Sequence, residues 1–158
     1  MVPRLILPRL ILPLPPSDSH SHQITAHWDR DAVQAAVITQ GPMPKAQIHR
    51  HRTPATKAYM EAAGWSAKVW MRQRGWELPP PHTKVRLYYW VFWPDARRRD
   101  PANLLKILHD SLKGIVVPDD NQLLPWAMDY QVDRQRPRIE VQLRRLESKR
   151  STAVRAVP

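Results

Sequence analysis

The stretch "KVRLYYWVFW", residues 84–93, decides the fold. Aromatic and β-branched residues dominate it, and these residue types are enriched in strands. Because successive side chains of a strand point to opposite faces, the stretch presents two apolar faces. One face carries Leu87, Tyr89, Val91 and Trp93, and the other carries Tyr88, Trp90 and Phe92. The stretch therefore predicts a buried strand.

A basic loop and a helix are predicted directly after this strand, in "RRRDPANLLKILHDSLKG", residues 97–114. Asp100 stands before Pro101, as a capping residue does before proline in the first turn of a helix. The predicted helix runs from Asp100 to about Lys113, and Gly114 ends it. Its apolar side carries Leu104, Leu105, Leu108 and Leu112. Its polar side carries Asn103, Lys106, Asp110 and Lys113.

The remaining elements are predicted from local patterns. Thr53 and Pro54 begin a helix that reaches about Arg74, with Gly75 at its end. Residues 9–14 are predicted as the first strand, 17–30 as a loop and 31–39 as a second strand. Period-two patterns predict strands in "WAMDYQVDR" (126–134) and "RPRIEVQLRRL" (136–146), and "IVVPDDNQ" (115–122) is expected to be an exposed connection.

This order of elements predicts an α+β domain in which two main helices pack on one face of a small mixed sheet. The domain is expected to span residues 9–146. Residues 1–8, which contain the first of two overlapping "PRLILP" copies, are expected to form an N-terminal extension, and residues 147–158 a basic tail.

The charge of the chain indicates its partners. The net charge is +11 and the sequence pI is about 10.7, which favours polyanions. The chain has no cysteine, which excludes disulfides and zinc–thiolate sites and fits a cytoplasmic protein. No apolar run approaches the roughly 20 residues that span a bilayer. Prolines interrupt the apolar N-terminus, which argues against a signal peptide.

A cluster of acidic residues is the candidate for chemistry. Asp119 and Asp120 follow the predicted helix by one loop, so they can fold back toward it. Gathered carboxylates repel one another unless a cation lies between them, and a hard cation such as Mg²⁺ prefers oxygen ligands. Such an ion can activate water for phosphodiester cleavage. Lys106 would add a positive charge near the scissile phosphate, and Arg97, Arg98, Arg99 and Lys113 would hold the DNA backbone.

Simpler interpretations exist for each residue. Asp100 can be only a helix cap, Lys106 and Asp110 only a helical ion pair, and Asp119–Asp120 only a turn. The arginines can form a solvated loop. His49 and His51 are expected to contact phosphate or solvent rather than zinc. Trp28 and Trp126 are candidates for stacking on bases.

Three segments resemble the RusA family of Holliday-junction resolvases. "LPLPPS" (12–17) is similar to the first strand and Pro-Pro-Ser turn of that family, and "RTPATKAYMEAAGW" (52–65) is similar to its first helix. "RRRDPANLLKILHDSLKGIVVPDDNQL" (97–123) resembles its central signature, an arginine-led acid and an asparagine-x-x-lysine helix, followed by paired acids and a glutamine.

The resemblance implies a small α+β fold, a homodimer and Mg²⁺-dependent cleavage of four-way DNA junctions, with Mn²⁺ as a possible substitute. A two-fold dimer can nick opposing strands symmetrically. By position, Asp100, Asp120 and Asp119 would hold the metal and Lys106 would be the catalytic lysine. Asn103 and Asp110 would be supporting polar residues.

The chain departs from the family pattern at one position, because a second acid two residues after the first is replaced by Ala102. The loss of a carboxylate makes the site less negative, and Asp110 and Asp119 are the candidates to take its place. Two rival functions follow from the charge: a non-catalytic protein that binds structured DNA, and a basic RNA-associated protein.

Overall fold

The computed structural model describes residues 8–17 and 20–146, which fold into six strands, three α-helices and a short 3-10 helix. The strands are β1 (Leu10–Leu12), β2 (His22–His27), β3 (Gln47–Arg52), β4 (Val85–Trp93), β5 (Leu123–Val132) and β6 (Arg138–Arg145). The helices are α1 (Arg30–Thr39), α2 (Pro54–Arg74) and α3 (Ala102–Leu112), and the 3-10 helix is Asp120–Gln122.

The main sheet has four strands in the order β1-β6-β4-β5. β4 is parallel to β5 and antiparallel to β6, so the sheet is mixed, as the sequence predicted. β5 and β6 flank β4 on opposite sides, and the turn between them crosses the end of β4, where the Asp133 amide donates to the Trp93 carbonyl at 2.8 Å. β2 and β3 form a separate two-stranded ribbon.

The core lies between one face of the main sheet and helices α2 and α3. Alternate residues of β4 are buried there, and α3 contributes an apolar face that includes the fully buried Ile107. The α+β class and the two packed helices are confirmed. Gly64 allows close packing of α2, because a Cβ atom at this position would lie 3.1 Å from the Cδ1 atom of Ile115.

The termini of α2 agree with the sequence prediction. The Thr53 side chain accepts a hydrogen bond from the Thr56 amide at 3.3 Å, and Pro54 occupies the first turn. Gly75 adopts a positive φ of 60° and ends the helix. The predicted strand over residues 9–14 is also confirmed, although only Leu10–Leu12 pair with β6.

The prediction for residues 17–39 was wrong in two places. The predicted strand at 31–39 is helix α1, capped by Asp29, whose Oδ1 atom accepts from the amides of Asp31 and Ala32 at 3.0 and 3.1 Å. The predicted loop at 17–30 contains strand β2, which pairs with β3 through backbone hydrogen bonds. Both strands of this ribbon are almost entirely exposed, so no alternation of apolar residues marks them.

The connection after α3 was also predicted wrongly as exposed, because Val116 and Val117 are fully buried. Residues 1–7, which hold most of the first "PRLILP" copy, and the predicted basic tail lie outside the described residues. In the described part of the chain, no helix is both long and apolar enough to cross a membrane.

Candidate active site

Asp100 lies immediately before α3, near the end of the sheet at which β4 finishes. Its Oδ1 atom accepts a hydrogen bond from the Ala102 amide at 2.9 Å, so it does cap the helix, as the simpler interpretation expected. Its side chain is exposed and lines a pocket of about 400 Å³ together with Asn103, Arg98 and Trp93. The partial positive charge of the helix N-terminus stabilises a carboxylate at this position.

The three consecutive arginines have different environments. Arg99 forms a two-pronged ion pair with Asp95 at 2.6 and 2.9 Å and lies 5.2 Å from the Trp93 ring centre. Hydrogen bonds from Arg99, and then from the Arg97 amide, hold the pKa of Asp95 far below its ordinary range. Arg97 and Arg98 are exposed. Arg97 and Arg98 are therefore better placed than Arg99 for phosphate contacts.

A second acidic cluster lies at the other end of α3. The Lys113 Nζ atom contacts Asp119 Oδ2 at 2.9 Å and Asp120 Oδ1 at 3.0 Å, so an ammonium group occupies the space between two carboxylates. The hydrogen bonds to Asp119 and Asp120 raise the pKa of Lys113. These two carboxylates therefore already bind a cationic group, and Lys113 is less available to DNA than the sequence suggested.

Asp119 has a second role in the local backbone. Its side chain accepts from the Asn121 amide at 3.0 Å, while Gln122 Oε1 accepts from the Asp119 amide at 3.1 Å. This reciprocal capping box begins the 3-10 helix. The Asn121 hydrogen bond, followed by the Lys113 contact, lowers the pKa of Asp119. Asp120 lacks this capping role and is the better candidate of the two for a metal ligand.

Lys106 and Asp110, on the polar side of α3, do not pair with each other. Asp110 contacts Arg52 of β3 at 3.2 Å, so the alternative of a Lys106–Asp110 ion pair is replaced by a link between α3 and the ribbon. Lys106 is exposed on α3. Its side chain is therefore accessible to a bound nucleic acid.

His109 is a site residue that the sequence analysis did not single out. It is half-buried on α3, and burial lowers its pKa, although Asp120 and then Asp110 oppose this effect. Its Nε2 atom is buried without a hydrogen-bond partner in the described structure. The only available signal was its position beside Asp110, and an isolated histidine in a helical pattern gave no reason to select it.

Asp100 and Asp120 lie at opposite ends of α3. Asp100 is held at the Ala102 amide, whereas Asp120 contacts Lys113, the residue after the last turn. An 11-residue helix is about 16 Å long. Within residues 8–17 and 20–146, no group of three or more histidine or acidic residues is arranged to hold a metal ion. The helix therefore separates the two acids along one chain, and their shared metal site remains a prediction.

The family model of endodeoxyribonuclease RusA matches residues 33–144. No curated protein matches the sequence.

This match covers more than half of the chain, so the protein belongs to the RusA endodeoxyribonuclease family. Membership supports nuclease activity in DNA recombination, with Holliday-junction DNA as the substrate on which this family acts. Resolvases of this family generally depend on divalent metal ions.

Proposed function

We propose that this protein is a homodimeric, Mg²⁺-dependent endonuclease that resolves branched DNA by paired, symmetric nicks. The observation that carries the proposal is the family match over residues 33–144, which includes the whole of α3 and both of its acidic ends. Mn²⁺ is an alternative ion, because it also accepts oxygen ligands.

The separation of the acidic residues along α3 supports a site that two protomers share. β4 and β5 are parallel, so the end of β4, near Asp100, and the start of β5, after Asp120, lie at opposite ends of the sheet. In one chain, the length of α3 therefore separates the two carboxylates. In our proposal, Asp100 of one protomer and Asp120 of its partner form each metal site, and a two-fold axis generates two identical sites.

The exposed edge of β5 supplies a surface for such a dimer. β5 is the outermost strand of the sheet, and its exposed large apolar residues are each between 44% and 54% accessible: Trp126, Met128, Tyr130 and Val132. An edge strand of this length is a template for pairing with a second chain, and Pro125 and the register shift between Ala127 and Asp129 leave its second half, Asp129–Val132, as the regular part. Antiparallel pairing of two β5 edges places the start of one strand beside the end of the other. It therefore brings the Asp120 end of one protomer to the Asp100 end of its partner.

The residues around these acids have separate roles in this proposal. Bound Mg²⁺ would activate water and stabilise the charge that develops on the scissile phosphate. Lys106 is exposed on α3 and adds a positive charge at that phosphate, while Arg97 and Arg98 hold the flanking backbone. Asn103 lies beside Asp100 in the same pocket and supports its orientation.

A synthetic four-way junction tests the activity. Purified protein is expected to make paired nicks at symmetric positions in opposing strands, in the presence of Mg²⁺ and not in EDTA. Ala102 stands where the family has a second acid, which favours the rival function of a non-catalytic DNA-binding protein. Tight junction binding without nicks would establish that rival. If duplex RNA competes as well as the junction at fixed salt, the protein is instead RNA-associated.

Mixing two inactive variants tests whether two protomers share each site. Asp100→Asn and Asp120→Asn are each expected to abolish cleavage. A mixed dimer with shared sites still contains one intact pair, formed by Asp100 of the Asp120→Asn chain and Asp120 of the Asp100→Asn chain. The mixture should therefore nick one strand of the junction. If both ligands came from the same chain, every site in the mixture would be defective and no nicks would appear.

A further inference from the structure

The β2–β3 ribbon is a separate surface from the candidate active site. Its twelve residues form six antiparallel pairs, from His22–Arg52 to His27–Gln47. Every residue of the two strands except the half-buried His22 is exposed. Such exposure of both faces is unusual for a strand pair, because an isolated hairpin is marginally stable in water. The ribbon therefore offers a surface that a partner can cover.

One face of the ribbon carries only hydrogen-bonding side chains. Its six residues are Gln23, Thr25, His27, Gln47, His49 and His51. The imidazole rings form a row, with centroid distances of 5.6 Å between His27 and His49 and 6.0 Å between His49 and His51. Amide, hydroxyl and imidazole groups can both donate and accept hydrogen bonds. This face therefore matches the mixed donors and acceptors on the edges of base pairs.

The charge of the ribbon favours a polyanion. The two strands contain no acidic residue, and their arginines, Arg50 and Arg52, lie on the face opposite the polar one, where Arg52 is paired with Asp110. The net charge of +11 attracts polyanions to the chain as a whole. A row of histidines can also suggest a metal site, but the described residues include no group of three histidine or acidic side chains arranged to hold an ion. Nucleic acid is thus the partner that both the charge and the side-chain chemistry fit.

The base of the ribbon is attached beside α3. Arg52 contacts Asp110 at 3.2 Å, and the Thr53 amide donates to the Ser21 carbonyl at 2.9 Å. The buried Thr56 hydroxyl donates to the same carbonyl at 3.1 Å. These contacts fix the ribbon next to the helix that carries the candidate catalytic residues. A six-residue strand extends about 20 Å, enough to reach an adjacent DNA arm.

We propose that this ribbon enters the major groove of a duplex arm of the DNA substrate and selects its sequence through the polar face. The major groove accommodates a two-stranded β-ribbon, and its base edges present a distinct pattern for each base pair. The proposal rests on the proposed function, since it requires duplex DNA beside the active site. It adds a sequence-reading surface at a distance from the cleaved bond.

Selection from a pool of four-way junctions with randomised arm sequences tests this proposal. Bound junctions are recovered and sequenced, so the readout does not depend on cleavage. The wild-type protein should enrich particular arm sequences at least tenfold. The double variant Gln47→Ala/His49→Ala should reduce enrichment below about threefold while affinity for unselected junctions changes little. The variant Ile24→Ser, on the opposite face of the ribbon, should keep the wild-type preference.

Three results would overturn the proposal: no enrichment by the wild-type protein, retained enrichment by the double variant, or an equal loss of affinity for every sequence. The last result would mean that the ribbon contacts only phosphates. Thermal unfolding of each variant confirms that it is folded. The proposed nuclease function has a different readout: if no junction is nicked in Mg²⁺ while sequence enrichment persists, that function is wrong and the ribbon proposal still stands.

Discussion

At the scale of single residues, neighbouring acids have different structural roles. Asp119 caps a 3-10 helix, and an asparagine at this position retains an oxygen that can accept the Asn121 hydrogen bond. Asp120 has no such role and contacts Lys113 at 3.0 Å. The residue types of the site were predictable from the sequence. Their separation along α3 was not, because the relative positions of Asp100 and Asp120 depend on the parallel pairing of β4 with β5.

Substitution at Asp120 should separate catalysis from binding. Asp120→Asn is expected to lower the cleavage rate by about 100-fold or more, because it removes a carboxylate that would hold the metal ion beside the reacting phosphate. Junction affinity should be unchanged or higher, since a negative charge near DNA is removed. Single-turnover cleavage and a binding titration at fixed salt measure the two effects.

Asp119→Asn is the matched control for this experiment. It removes the same charge but keeps the backbone cap, so its cleavage rate should fall by less than about tenfold. Equal losses in the two variants would contradict the assignment of Asp120 as the principal ligand. A loss of junction binding together with cleavage in Asp120→Asn would instead indicate a folding defect.

At the scale of elements, local capping signals predicted α2 correctly, while α1 and the ribbon were missed. Thr53 and Gly75 mark the ends of α2 without help from the rest of the fold. Val33, Ala36 and Val37 have helical spacing, but α1 is short and only Ala36 is buried, so the pattern was weak. The ribbon carries polar residues on an exposed face, and hydrophobic periodicity cannot detect such strands.

A buried glutamate links two strands of the main sheet. Glu140 of β6 accepts from Arg9, which precedes β1, at 2.7 Å and from Arg138 at 2.7 Å. Burial raises the pKa of Glu140, but the two arginines together lower it by more, so the pKa is below its ordinary value. Glu140→Gln should reduce the free energy of unfolding by about 1–3 kcal/mol at neutral pH, since it weakens charge-assisted hydrogen bonds.

The pH dependence of this effect has a defined sign. The pKa of Glu140 is lower in the folded state, so its contribution is complete above the ordinary pKa of glutamate. That contribution is lost as the pH falls through the lowered value. Denaturant unfolding of the wild type and of Glu140→Gln should therefore converge at acidic pH. A difference that grew on acidification would contradict this ion-pair account.

Close packing at Gly64 is a second test at the scale of elements. Glycine is unfavourable inside a helix, but at position 64 of α2 it makes room for Ile115. Gly64→Leu should destabilise the fold by about 1–3 kcal/mol through overpacking. Ala62→Leu, at an exposed position of the same helix, should be nearly neutral. Urea unfolding compares the two variants, and similar midpoints would exclude steric packing as the reason for the glycine.

At the scale of the whole molecule, the net charge of +11 and the proposed dimer act together. The charge attracts DNA at long range but also opposes the approach of two copies, and salt screens both effects. In the proposed dimer, the apolar residues of β5 would therefore provide the attraction between protomers. The net charge could be predicted from composition. The position of β5 at an edge of the sheet could not, because it depends on the strand order.

Sedimentation tests whether β5 forms the dimer interface. The wild-type chain of 18.4 kDa should sediment at twice this mass. Trp126→Lys should shift the equilibrium toward monomer, because it introduces a cation on the apolar surface of β5. Arg86 lies 5.0 Å from the Trp126 ring centre, so the new cation would also stand beside an existing one. Trp65→Lys is the matched control: Trp65 is 64% exposed on α2, so the same change in charge should leave the dimer intact.

Monomeric Trp126→Lys should also lose junction cleavage, because the proposed site needs one acid from each protomer. A fully active monomer would exclude a site shared between protomers, and a dimeric Trp126→Lys protein would place the interface elsewhere.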